Sequence, residues 1–101
     1  MWQVDPKKLY RQHLLGEHVE CHMFVGTILK GISLEGHIKK GLVEVHNLKV
    51  RYAGLTIEMI SHGYNHNSPL PEFESFEGGK VNAIENLQIL KERCSECRER
   101  Q

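Results

Sequence analysis

Arg11-Gln12-His13-Leu14-Leu15-Gly16-Glu17-His18-Val19-Glu20-Cys21-His22 decides how the rest of the chain is read. On a 3.6-residue period His13, Glu17 and Glu20 fall at i, i+4 and i+7 and project from one narrow helix face. Leu14, Leu15, His18, Val25 and Leu29 fall on the side opposite the two glutamates, which favours one continuous amphipathic helix ending near Gly31. Gly16 then sits inside that helix, at a cost of only about 1 kcal/mol. Two carboxylates and an imidazole on one face suit general acid–base chemistry. They equally suit a solvated face on which acids balance nearby lysines, and spacing alone does not separate the two.

Working outward, Asp5-Pro6 is a helix-start signal that predicts helix from Pro6 to about Leu15, merging with the long one. Ser33 to Leu42 carries a second, short helical signal, with Ile38 and Leu42 as its apolar pair. Asn47 is positioned to cap a helix running to His62, in which Leu48, Tyr52, Leu55 and Met59 form an apolar stripe and Gly63 supplies the stop. Residues 64–71 read as turn and loop, and 72–80 as an acidic loop. A final helix over 82–98 carries Ile84, Leu87 and Leu90 along one side, and the same stripe continues to Cys94 and Cys97. Leu42-Val43-Glu44-Val45 is the only weak strand-like alternation. The expectation is an all-α fold in a single domain, residues 1–101, with a long N-terminal helix packed against two or three others.

Composition narrows the function classes. Lys plus Arg and Asp plus Glu both count 13, so overall charge does not point to nucleic acid, a membrane surface or an acidic partner. Residues 1–51 hold eight basic against five acidic side chains, and 52–101 hold five against eight, so any polyanion is expected to meet the first half. No apolar run approaches the roughly 18–20 residues that span a bilayer, so no membrane partner is expected. Three cysteines, with no apolar leader ahead of Pro6, give the expectation of a reducing, cytoplasmic setting.

Several constellations carry both a functional and a structural interpretation. His18 and His22 have the i, i+4 spacing of metal ligands, with Cys21 beside them, but both fall on the apolar side of the helix. Half-buried imidazoles bonded to a neighbouring helix account for them better. Cys94-Ser95-Glu96-Cys97 spells C-x-x-C, yet no second ligand pair follows at zinc-finger spacing, and thiols packing on the core are the simpler interpretation. Lys7, Lys8, Arg11, Lys39, Lys40, Lys49 and Arg51 are candidate phosphate contacts or a solvated face.

Gln12-His13-Leu14, Glu17 and Glu20, followed by Phe24-Val25-Gly26 and Lys30, resemble the first long helix of the pyrimidine-dimer DNA glycosylases of the phage endonuclease V type. Leu55, Glu58 and His62-Gly63-Tyr64-Asn65 resemble a second helix of that family and its exit, so the likeness covers about residues 4–69. The resemblance implies a small all-helical DNA repair enzyme, with no metal or cofactor, acting on damaged double-stranded DNA as glycosylase and abasic-site lyase. Its implied catalytic groups are the α-amine of Met1, as nucleophile at C1′, and Glu20, which assists deprotonation at C2′. An α-amine ordinarily titrates at about 7.7–8, against about 10.4 for lysine, which suits it to nucleophilic attack near neutrality. Bulky Trp2 disfavours removal of Met1. His13 and Glu17 are implied supporting residues, and Lys7, Lys8, Arg11, Lys39, Lys40, Asn65 and His66 implied DNA contacts. The departures are Val19 and Met23, where the phage enzyme has arginines beside its glutamate, and a tail ending Cys94-Ser95-Glu96-Cys97-Arg98-Glu99-Arg100-Gln101 instead of an aromatic and basic one. Two other function classes stay open from sequence: a non-catalytic nucleic-acid or protein-binding module on the same scaffold, and a small metal-binding regulator using Cys94, Cys97 and histidines.

Overall fold

In the computed structural model, which describes residues 1–64 and 69–99, Asp5 accepts the Lys7 amide at 3.0 Å and starts a single 3-10 turn, Pro6–Lys8. The expected helix from Pro6 does not continue. Leu9 and Tyr10 are extended, and the break turns the Leu9 side chain fully into the core. Five helices follow among the described residues: α1 (Arg11–Leu29), α2 (Glu35–Lys39), α3 (Leu48–Ser61), α4 (Ala83–Arg93) and α5 (Ser95–Glu99). No strand occurs among them, and the fold is all-α as expected. Leu42 to Val45 is not a strand but leads into a 3-10 turn, Val45–Asn47, joined to the acidic loop by the Val45 N–H to Gly78 carbonyl bond at 2.9 Å.

α1 runs unbroken through Gly16, and it packs chiefly on α3. The α3 stripe of Leu48, Tyr52, Leu55 and Met59 is buried as the periodicity indicated, and Gly63, at φ 73°, closes the helix. The inward face of α1 differs from expectation. Leu14, Glu17, Cys21, Phe24 and Val25 are buried, whereas Leu29 is 55% exposed. A buried carboxylate is costly when unpaired, so periodicity alone places Glu17 on the outward face. Here Arg51 of α3 supplies the pairing charge, and Glu17 takes the place of a core apolar residue between Leu14 and Cys21.

α2 is shorter than the signal over 33–42. It ends where Gly41, at φ 69°, lets the Gly41 and Leu42 amides bond back to the Ile38 and His37 carbonyls. The expected C-terminal helix is two helices. Asn82 caps α4 by accepting the Glu85 amide at 2.9 Å, and extended backbone at Cys94 separates α4 from α5. Ile84 is 85% exposed and does not join the apolar stripe, while Leu90 and Cys97 are buried. Between α3 and α4 the acidic loop is pinned by buried Phe73 and Val81. Gly79, at φ 94°, approaches so closely that an added Cβ would stand 2.0 Å from the Val43 carbonyl oxygen. That approach brings the 42–45 segment and the acidic loop together beneath the chain start.

Candidate active site

The first four residues are held by side chains from three helices. Met1 is itself a core residue, its side chain enclosed and its Sδ accepting the Glu44 amide at 3.3 Å. Burying the side chain fixes the α-amine at the edge of α1, where it donates to the Leu42 carbonyl at 3.0 Å and forms an ion pair with Glu20 Oε1. Glu20 keeps 37% of its side chain exposed, so the pair faces solvent on one side.

Beside it lies a second, dry ion pair. Arg51 donates from Nε to Glu17 Oε2 at 2.5 Å and from Nη2 to Oε1 at 2.8 Å, the bidentate geometry that suits guanidinium and carboxylate. Both side chains are almost wholly enclosed. Each also grips the N-terminal segment: the Trp2 amide donates to Glu17 Oε1 at 3.2 Å, and Arg51 Nη1 donates to the Val4 carbonyl at 2.5 Å. Gln3, caught between these anchors, adopts φ 55°, a left-handed conformation that costs a non-glycine residue of order 1–3 kcal/mol. Its side chain donates to Glu44 Oε1 at 2.8 Å. From the other side Asn86 of α4 donates to the Trp2 carbonyl at 3.0 Å and the Met1 carbonyl at 3.5 Å.

Glu44 organises the floor of the site. Burial alone would raise its carboxyl, but the Val81 amide at 2.6 Å, Asn47 at 2.7 Å and Gln3 outweigh it and hold the group below the usual carboxylate range. Cys21, one turn beyond Glu17 and next to Glu20 on α1, is pushed up to about 12 by burial, with Glu17 and Glu20 adding to the rise against Arg51 and the α-amine. It is therefore a neutral thiol at physiological pH. His18 and His22 bond through Nε2 to the Tyr52 hydroxyl of α3, at 2.9 and 3.1 Å, which is the neighbouring-helix role expected for them. Burial, with a smaller contribution from Cys21, raises the Tyr52 hydroxyl above its ordinary value.

The sequence-derived residues divide accordingly. Met1 and Glu20 are in contact. Glu17 is close by but enclosed, so it holds the chain start and has no open side for a sugar. His13 lies one turn earlier on α1, edge-on to Trp2 with ring centroids 5.7 Å apart and close to Cys94 and Cys97. Lys7, Arg11, Lys39 and Lys40 are exposed and Lys8 is half-buried. Lys39 pairs with Glu35 at 2.9 Å, and the Arg11 guanidinium lies 5.2 Å from the Tyr64 ring centroid. Tyr64 in turn stacks on His62, whose Nε2 is 2.7 Å from Glu58 Oε1, so the exit of α3 is tied to the start of α1. Asn65 and His66 lie outside the described residues. Arg51 is a correction: it is committed to Glu17 and Val4 and offers nothing to a phosphate.

Sequence reasoning missed Arg51, Glu44, Asn86 and the Leu42 carbonyl as parts of the site. Only Arg51 left a signal, since it sits on the buried side of the α3 stripe, one residue before Tyr52. No helix among the described residues is long and apolar enough to cross a membrane. In comparison with known proteins, residues 1–72 match the family described as pyrimidine dimer DNA glycosylase. No curated protein and no solved structure matches the chain.

Proposed function

The chain belongs to the pyrimidine dimer DNA glycosylase family, and we propose that it excises the damaged base and cuts the strand with the Met1 amine and Glu20 as its reacting groups. One observation carries this reading: the α-amine, held by an enclosed Met1 side chain, is in ion-pair contact with a half-exposed carboxylate. Proton transfer from the ammonium to Glu20 leaves a neutral amine whose lone pair attacks C1′ of the deoxyribose. The amine lone pair forms the N–C1′ bond as the bond from C1′ to the base breaks, and the base leaves with the electrons of that broken bond and takes the proton from Glu20. Ring opening then breaks the C1′–O4′ bond, O4′ takes a proton from the nitrogen, and a protonated imine is left between the Met1 nitrogen and C1′. Glu20, once more a carboxylate, takes a proton from C2′, the C3′–O bond breaks in β-elimination, and water releases the amine.

Preorganisation is what this geometry contributes. Amine and carboxylate are fixed by contacts made before substrate arrives, and well-oriented intramolecular groups lower barriers by roughly 7–11 kcal/mol. Arg51 and Glu17 act through position, holding the backbone on both sides of Gln3. The duplex is held by phosphate contacts from Lys7, Lys8, Arg11, Lys39 and Lys40. The substrate is damaged double-stranded DNA whose lesion weakens stacking, since extruding a nucleotide costs a few kcal/mol and least at a damaged pair.

The test is a duplex carrying a single cyclobutane thymine dimer or a single abasic site, incubated with the wild-type chain and with Glu20→Gln. Strand scission at the lesion, absent from undamaged duplex and reduced at least about 100-fold in the variant, is the expected outcome. Scission at equal rate in both proteins removes Glu20 from the mechanism, and no scission of either substrate by the folded wild type removes the activity.

A further inference from the structure

Cys94-Ser95-Glu96-Cys97 has no second ligand pair nearby in sequence, and the fold brings a third donor from the opposite end of the chain. A ring nitrogen of His13, in the first turn of α1, and the sulfurs of Cys94 and Cys97 all lie within 4.8 Å of one another. Zinc bound at about 2.3 Å to sulfur and 2.0–2.1 Å to nitrogen sets tetrahedral neighbours roughly 3.4–3.8 Å apart. Gathering the three donors around an ion therefore requires side-chain adjustments of only about 1 Å.

Two hydrogen bonds set these sulfurs apart from cysteines that merely fill space. The Tyr10 amide donates to Cys97 Sγ at 3.1 Å, and the Cys97 amide donates to Cys94 Sγ at 3.3 Å. The metal itself displaces the thiol protons on binding, since the thiolate is the ligand. Glu96 Oε2 stands 3.8 Å from Cys94 Sγ but outside the group of three donors, so it would have to swing inward to become the fourth ligand. Two thiolates and an imidazole select zinc among the common divalent ions over magnesium or calcium, which take oxygen donors.

We propose that His13, Cys94 and Cys97 form a structural zinc site that fastens α4 and α5 to the start of α1. Its position gives it a purpose. α4 carries Asn86, which holds the Met1 and Trp2 carbonyls, and the Cys97 sulfur holds Tyr10 at the base of the N-terminal segment. The ion would lock the clamp that keeps the chain start against Glu20. The inference stands on donor geometry and does not depend on the glycosylase reading.

The test uses the full chain, purified without a histidine tag under thiol reductant, stripped of metal and titrated with Co²⁺. Thiolate-to-cobalt charge-transfer absorption and intense tetrahedral visible bands at one equivalent, both bleached by Zn²⁺, are expected. Cys94→Ser should weaken Co²⁺ binding by more than the roughly 10- to 100-fold that loss of an outer-shell partner costs, whereas Cys21→Ser leaves it unchanged. Far-ultraviolet dichroism confirms that each variant is folded. Absence of thiolate–cobalt absorption in the folded wild type, a spectrum indifferent to Cys94→Ser, or quantitative recovery of Cys94 and Cys97 as a disulfide would overturn the proposal.

Discussion

Glu17→Gln keeps the size of the side chain and removes its charge, leaving Arg51 enclosed beside a neutral amide. Breaking one partner of a buried ion pair costs about 3–5 kcal/mol, because the remaining charge has no water to return to. Glutamine retains an acceptor for the Trp2 amide, so the loss falls on the guanidinium and on Val4, which Arg51 also holds. Against a typical stability of about 5–15 kcal/mol for such a chain, the variant should lose a fifth or more. At roughly 4 °C or more per kcal/mol, the unfolding midpoint should drop by at least about 12 °C. Glu20→Gln meets a different environment, since its carboxylate is partly solvated and such pairs contribute only about 0–1 kcal/mol. It should unfold within a few degrees of the parent while losing about 10²- to 10⁴-fold in scission of abasic DNA. A third protein, Glu17→Gln with Arg51→Met, tests the cause directly: removing the orphaned guanidinium should recover part of the loss, with a coupling of about 2 kcal/mol. Thermal denaturation and the abasic-site assay are run on all three, on Arg51→Met alone and on the parent. A Glu17→Gln protein as stable as the parent, or a double variant whose loss is the plain sum of the singles, would refute the assignment of Glu17 and Arg51 as an enclosed structural pair.

Gly79→Ala should cost about 2–5 kcal/mol in denaturant unfolding, since φ 94° strains any side chain and its Cβ would strike the Val43 carbonyl; an unchanged midpoint contradicts the close approach. Cys21 titrates at about 12 in the fold against 9.0 for the free thiol, so the folded state binds its proton more tightly. Its contribution is complete below pH 9 and declines as pH rises toward 12, at up to about 1.4 kcal/mol per pH unit; Cys21→Val should flatten that alkaline slope in stability measured against pH. Replacing Lys39 and Lys40 together by Ala should lower the slope of log affinity against log salt for duplex DNA by about 2, with the sequence preference untouched; an unaltered slope takes both lysines out of the interface.

The helices were legible in the sequence where apolar spacing alone decides them. The α3 stripe from Leu48 to Met59, the passage of α1 through Gly16 and the stop at Gly63 follow from periodicity and glycine chemistry. The orientation of α1 was not, because a hydrophobic stripe cannot reveal that a glutamate will be neutralised by an arginine more than thirty residues away. Once Arg51 is in place, Glu17 is a core residue, Leu29 moves to the surface and the carboxylate face turns toward the chain start. The same limit explains the ends. Pro6 and Asn82 announce helix starts, but the extended breaks at Leu9–Tyr10 and at Cys94 answer to long-range contacts that no local window contains, the burial of Leu9 and the meeting of Cys97 with Tyr10. In the candidate site Glu20 stood out from its helix spacing and family resemblance. Leu42, Glu44 and Asn86 contribute a carbonyl, a buried acceptor and an amide, and each acquires meaning only when folding brings the first three residues of the chain to it.

The most direct test of the central claim is the identity of the nitrogen that bonds to DNA. The wild-type chain is incubated with duplex containing one abasic site, reduced with borohydride, digested, and the adduct located by tandem mass spectrometry. The expected result is a reduced sugar remnant on the α-nitrogen of Met1, lost when that amine is acetylated beforehand. An adduct on a lysine side chain, or one undiminished by acetylation of Met1, would contradict it.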